Sequence, residues 1–272
     1  MDFKDRVVIV TGGSSGIGKE VAREFLRHGA RITISSRNEE QLQQTAEELR
    51  KDGGEVLAVQ GDVSIEKDCE RLINETLDRY GRIDVLVNNA GISMRALFTD
   101  VKLEVIKQVM DINFWGTVYC TKYALPWLLE NKGVVVGISS IAGIKGLPAR
   151  TGYSASKFAM HGFLEALRIE NLHTGLHVLI CCPGFTASNI RNTALNKEGS
   201  VQGESPRDEQ KMMQPDEVAR ELVKAVARRK RTLILTGQGK LTALVNKFLP
   251  GWLDRQVYKH LAAEPDSPLK KM

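Results

Sequence analysis

Seven short apolar runs recur along the chain, and stretches with helical spacing separate them. The strand-like runs are Arg6–Val10, 31–35, 56–60, 84–89, 133–139, 177–182 and 233–236. Helical spacing fills the gap from a glycine turn to His28, then Glu39–Asp52, about Ile65–Tyr80, about Leu103–Glu130 and about Gly152–His173, and it resumes at Pro215. Glycines stand where several of these helices should stop: Gly29, Gly53 with Gly54, and Gly81. Strands that are apolar throughout must be covered on both faces, which requires a mostly parallel sheet with helices above and below. The expected fold class is therefore α/β, a single doubly wound domain over residues 1–272 with a seven-stranded sheet. No linker or low-complexity tract divides the chain.

Composition narrows the function classes. With 42% hydrophobic and 26% charged residues, the chain reads as an ordinary globular protein. A net charge of +5 is mild, and the basic run Arg228–Arg231 reads as a solvated helix end. No recognition helix, zinc spacing or aromatic-basic ladder accompanies it, so nucleic-acid binding is not expected. The four cysteines lack metal-ligand spacing; Cys181 and Cys182 sit in an apolar run and read as core. No metal is expected, and a reducing cytoplasmic compartment fits best. The N-terminal residues lack the apolar segment of a signal peptide, and no apolar run is long enough to span a bilayer.

The first strand leads into TGGSSGIG, residues 11–18. Gly12, Gly16 and Gly18 allow a tight turn and close approach to a pyrophosphate. Ser14, Ser15 and Ile17 complete the turn, and the following helix would point free N–H groups at the phosphates. The second strand ends in Ser36 and Arg37, where an acidic residue would bind the free ribose hydroxyls of NAD(H). A guanidinium there suits a 2′-phosphate, so NADP(H) is favoured, with NAD(H) as the alternative. Asp62, after the third strand, reads as a cap, with Ser64 capping the next helix, or as an acceptor for an adenine amino group. Asn88, Asn89, Ala90 and Gly91 end the fourth strand on the same sheet edge, where ligands of open α/β sheets bind.

Tyr153 and Lys157 in YSASK are four residues apart and share a helix face. Free phenols and ammoniums titrate at about 10 and about 10.4. An ammonium beside the phenol should lower its pKa and make it a usable acid or base. Ser140 ends the fifth strand and could donate to a carbonyl oxygen that Tyr153 protonates. Alternation aims Ser139 to the other face. Asn113 sits inside a helical stretch, and its side chain either serves the site or bonds a neighbouring backbone.

TGGSSGIG, NNAG, Asn113, the ISS of 138–140, YSASK and the PG of 183–184 stand in the order and spacing of the short-chain dehydrogenase/reductase family, which the chain resembles over about residues 4–190. The resemblance implies a Rossmann domain and a tetrad of Asn113, Ser140, Tyr153 and Lys157. Tyr153 would exchange the proton and Ser140 would orient the carbonyl. Lys157 would bind the nicotinamide ribose and assist the tyrosine, and Asn113 would hold a water of the relay. It also implies that Asp62 and Val63 contact adenine and that Asn89 lies near the ribose. In Pro183-Gly184-Phe185-Thr186-Ala187-Ser188, either Ser188 or Thr186 would meet the nicotinamide carboxamide. A homodimer or homotetramer is expected. The branch with membrane-associated reductases of steroids, retinoids and long-chain ketones looks most similar.

These readings make the chain an NADP(H)-dependent oxidoreductase acting on a carbonyl or secondary alcohol; the competing class is an inactive dinucleotide-binding sensor or structural subunit. Residues 189–213 are expected to form a substrate lid. Met94, Leu147 and Phe185 suggest an apolar pocket. Residues 240–272 carry an apolar stripe of Leu241, Leu244, Val245, Phe248 and Leu249. Packing on the core or a sister subunit is the first reading, and peripheral contact with a membrane surface through Lys240, Lys247 and Lys259 is the second.

Overall fold

The computed structural model describes residues 2–187, 190–203, 212–264 and 266–271. Strands β1 (Val7–Thr11), β2 (Arg31–Ser36), β3 (Val56–Gln60), β4 (Val85–Asn88), β5 (Val134–Ile138), β6 (His177–Cys182) and β7 (Thr232–Ile234) form one sheet in the order β3-β2-β1-β4-β5-β6-β7. Every pairing is parallel. Val8 stands beside Ile32 on one side and Val85 on the other. The strand order reverses between β1 and β4, so a crevice opens past their carboxyl ends at Thr11 and Asn88.

The helices in chain order are α1 (Gly16–Arg27), α2 (Glu39–Lys51), α3 (Glu66–Tyr80), α4 (Leu103–Met110), α5 (Gly116–Glu130), α6 (Thr151–Glu170), α7 (Pro215–Ala227), α8 (Gly237–Phe248) and α9 (Pro250–Ala262). Strand side chains alternate between two cores. Val8, Val10, Val134, Val136 and Cys181 pack with Phe25, Leu42 and Leu222 from α1, α2 and α7. Ile9, Val135, Ile180 and Cys182 pack with Leu72, Leu128 and Leu164 from α3, α5 and α6. A side chain as fully buried as Phe25 contributes about 2 kcal/mol by leaving water. The adjacent cysteines are both core residues, on opposite faces.

Local signals set most boundaries. Asn38 caps α2 by accepting from the Gln41 N–H, and Gly81 ends α3 in a left-handed conformation. Pro215 opens α7, and Glu217 accepts from the Gln214 N–H at 3.0 Å. Two boundaries differ from expectation. The 103–130 helix is interrupted by a π-helical turn at Asp111–Trp115, which carries Asn113. Thr236 leaves the last strand to cap α8, accepting from the Gly239 N–H.

Within the single chain, much of the C-terminal stripe is not covered by the core, which leaves a sister subunit or a membrane surface as the remaining readings. Leu241, Leu244, Phe248, Leu249 and Trp252 are all more than half exposed, and Leu253, Leu261 and Leu269 supply the burial instead. No helix among the described residues is long and apolar enough to cross a membrane.

Candidate active site

A cavity of about 890 Å³ follows the carboxyl edge of the sheet from Arg37 and Asp62 past Asn89 to Tyr153 and the segment after β6. Its first end is the glycine turn. Gly12 has φ +63, and a Cβ there would lie 2.9 Å from Ala90 Cα. A Cβ on Gly18 would lie 2.3 Å from the Gly12 carbonyl oxygen. The turn therefore lies directly on the Asn89–Gly91 segment. Asn89 Nδ2 donates to Thr11 O at 2.9 Å and Gly12 O at 3.1 Å, while Thr11 Oγ1 accepts from the Asn89 and Ala90 N–H groups. Gly12, Ser14, Ser15, Gly16 and Ile17 line the cavity, as do Asn89, Ala90 and Gly91, whereas Gly18 lies behind the wall. The clamping hydroxyl of Thr11 is invisible to a reading that counts only glycines.

Ser36, Arg37, Asp62 and Val63 close this end. Arg37 is exposed, and its Nη1 lies 3.8 Å from Asp62 Oδ2. The other oxygen of Asp62 accepts from the Ser64 N–H at 2.9 Å and the Ser64 hydroxyl at 2.7 Å. Ser64 thus braces Asp62 rather than capping α3, whose N-cap is Ile65.

At the other end Tyr153 and Lys157 occupy the first turns of α6, almost fully buried yet lining the cavity. Lys157 Nζ donates to Ile138 O at 2.9 Å and lies 5.8 Å from the Tyr153 ring centroid. Ser140, also on the wall, accepts from the Ala142 N–H. Ser139 also borders the cavity, and its Oγ lies 2.7 Å from His161 Nε2. The expected lowering of the phenol is not what the structure gives. Burial raises the Tyr153 pKa, and the Ser140 hydroxyl and Arg150 guanidinium oppose this only in part. Desolvation lowers Lys157 to about 8. The phenol is thus a protonated acid at neutral pH.

Asn113 is fully buried and off the cavity wall. Its Nδ2 donates to Ile92 O and Ser156 Oγ, both at 2.9 Å, and its Oδ1 accepts from the Ile92 N–H at 2.8 Å. Ser156 Oγ in turn donates to Tyr153 O at 2.8 Å. The side chain therefore ties the segment after β4 to α6.

Pro183, Gly184, Phe185 and Thr186 line the remaining wall with Leu147. Thr186 donates to Gly184 O at 3.3 Å and its carbonyl accepts from Arg191 at 2.8 Å. Ser188 lies outside the described residues, as do 189 and 204–211 of the expected lid. Residues 190–203 do form cavity wall, through Ile190, Arg191, Thr193, Leu195, Gly199 and Val201. Met94 is fully buried away from the cavity, packed with Val105, Val109 and Leu195, so it is core rather than pocket. Gln108 and Arg150 reach the wall without a sequence motif to mark them. Among the described residues, no cluster of three or more His, Cys, Asp or Glu could hold a metal ion.

The family profile described as short chain dehydrogenase matches residues 6–199. The chain belongs to that family. The name is that of a dehydrogenase family. An Arabidopsis thaliana protein named 11-beta-hydroxysteroid dehydrogenase-like 4A is 45% identical over 195 residues, which cover 71% of this chain and 65% of that protein. The chain thus spans less than two thirds of that relative's length. Dehydrogenase/reductase SDR family member 7B of Danio rerio is 36% identical over 255 residues, covering 91% of this chain and 82% of the relative. A solved short chain dehydrogenase/reductase from Burkholderia phymatum, in complex with NAD, has the same fold: TM-score 0.82 at 22% identity, over 94% of this chain and 96% of the other.

Proposed function

We propose that this protein interconverts a carbonyl compound and a secondary alcohol, using NADP(H) in preference to NAD(H). The observation that carries the reading is a buried Tyr153 with Ser140 and Lys157 beside it, at one end of a cavity whose other end is the glycine turn. The cradle fits a dinucleotide: Gly12 and Gly16 keep the turn free of side chains where a pyrophosphate would lie, and Ser14 and Ser15 lead into the N-terminus of α1. The bound nicotinamide would supply or take up the hydride at the substrate carbon.

Tyr153 gives its proton to the carbonyl oxygen, and the Ser140 hydroxyl orients that oxygen. The ammonium of Lys157 steadies the phenolate left behind; in the oxidising direction the phenolate takes the proton back. Asn113 contributes by holding Ile92 and the start of α6 in place. The exposed guanidinium of Arg37 suits a ribose 2′-phosphate, which would take over from the Asp62 carboxylate 3.8 Å away. Asp62 and Val63 would border the adenine, Asn89 the ribose, and the Thr186 segment the carboxamide. Leu147, Phe185, Ile190, Leu195 and Val201 favour an apolar substrate, in keeping with the hydroxysteroid dehydrogenase names of the relatives, and residues 189–213 would cover it. Exposed Trp115, just before α5, and exposed Phe158 and Ile169 on α6 favour a homo-oligomer, and the bare α8–α9 stripe with Lys240 and Lys247 favours contact with an anionic membrane surface.

The test is cofactor consumption against a panel of ketones and aldehydes that includes oxosteroids. NADPH oxidation with at least one apolar ketone, faster than with NADH, is expected. A panel on which neither cofactor is consumed would remove the proposal.

A further inference from the structure

The turn that joins Ser140 to Tyr153 is fastened from outside by the C-terminal helices. Asn246 Nδ2 of α8 donates to Ile144 O at 3.1 Å, and Asp254 of α9 pairs with Lys145. Past the end of α9 the chain turns inward, and Glu264 is nearly buried. Its carboxylate lies 3.5 Å from Arg95, which follows β4, and 3.5 Å from Arg150, which immediately precedes α6. The three side chains are 6%, 5% and 13% exposed, respectively. The backbone there is held too: Ala149 has φ +59, and its carbonyl accepts from the Ala96 N–H at 2.9 Å. Arg150 is on the cavity wall three residues before Tyr153.

A carboxylate is buried only where cations answer it, and its loss takes one negative charge from beside them. We propose that Glu264 is a positioning residue of the active site, holding Arg150 against the cavity and moderating the positive charge that Arg150 presents to the Tyr153 hydroxyl. The inference rests on the role given to Tyr153 above. It makes the C-terminal helix pair part of the catalytic apparatus, although none of its residues touches the reacting atoms.

The groups facing the phenol are Ser140 after β5, Arg150 and Lys157 at α6, Cys182 on β6 and Arg191 after β6. Arg150 favours phenolate. Replacing Glu264 by glutamine removes the opposing negative charge, so the phenol should ionise more readily. Replacing Arg150 by glutamine should make it ionise less readily. The test uses full-length wild-type, Glu264→Gln, Glu264→Asp and Arg150→Gln proteins. Ketone reduction by NADPH is followed across about pH 7 to 11.5, and NADPH affinity is measured by fluorescence. Tyr153 ionisation is also read directly, as the tyrosinate absorbance lost when each protein additionally carries Tyr153→Phe.

Glu264→Gln should move the phenol's titration to lower pH by about half a unit, Arg150→Gln should move it higher by a similar amount, and Glu264→Asp should restore it. NADPH affinity should stay within about twofold throughout. Shifts of opposite sign cannot come from a loosened fold. Titrations that stay put, or move the same way in both glutamine variants, would overturn the proposal. Should Glu264→Gln fail to fold, Arg150→Gln keeps Glu264 paired with Arg95, and an unmoved titration in that variant overturns it equally. The absorbance reading needs no turnover, so a protein inactive on every ketone would break the proposed function while this shift could still be measured.

Discussion

Beneath β1 and β2 the cavity wall is main chain: a glycine turn lies on Ala90, and the Thr11 hydroxyl and Asn89 amide stitch the two segments together. Beyond β5 the wall is side chains brought from distant parts of the sequence, with Arg150 held by Glu264 and Ile92 held by Asn113. On the proposed function the first end would accept a ligand part that varies little, a pyrophosphate with its riboses, which backbone geometry alone can specify. The second must hold an acid at a chosen protonation state, and that depends on burial and on which charges are near. One end is therefore sensitive to added atoms and the other to changed charges and lost protons.

Three substitutions sharpen this contrast. Tyr153→Phe keeps the ring and removes the proton; kcat should fall by about 10²–10⁴-fold while NADPH affinity is kept, as measured by steady-state rates and fluorescence titration. Near-normal turnover would mean that the acid is elsewhere. Gly18→Val should weaken NADPH binding by about 10–100-fold, because the new side chain meets the Gly12 carbonyl and displaces the turn from Asn89. Full affinity in that variant would show that the backbone wall tolerates added atoms after all. Arg37→Glu should shift the NADPH-to-NADH ratio of kcat/KM by about tenfold toward NADH, since it replaces an attraction for a 2′-phosphate by a repulsion. An unchanged ratio would take Arg37 out of cofactor selection.

The same contrast explains what could be read from the sequence. Glycine spacing, the Arg37 strand end and the Tyr153–Lys157 pair depend on residues close in the chain, so strand period and helix period reveal them. The number of strands followed from their apolar runs, for the same reason. Four features escaped. Met94 reads as pocket from its neighbours, but only its packing with Val105 and Leu195 makes it core. The π-turn at Asn113 keeps helical periodicity on either side and so leaves no local mark. The direction of the Tyr153 shift reversed because spacing reports the nearby lysine but not the burial that outweighs it. Glu264 and its two arginines lie far apart in sequence, and no local rule joins them.

The bond from Lys157 to the Ile138 carbonyl has a mechanical consequence. Ile138 belongs to a central strand, whereas Ser140 belongs to the turn that covers the cavity. The ammonium is tied to the sheet, and the hydroxyl that the proposed mechanism uses to orient the carbonyl stands on the turn beyond it. On that mechanism, a small displacement of the turn would alter how a carbonyl is aimed without moving the charge that answers the phenolate.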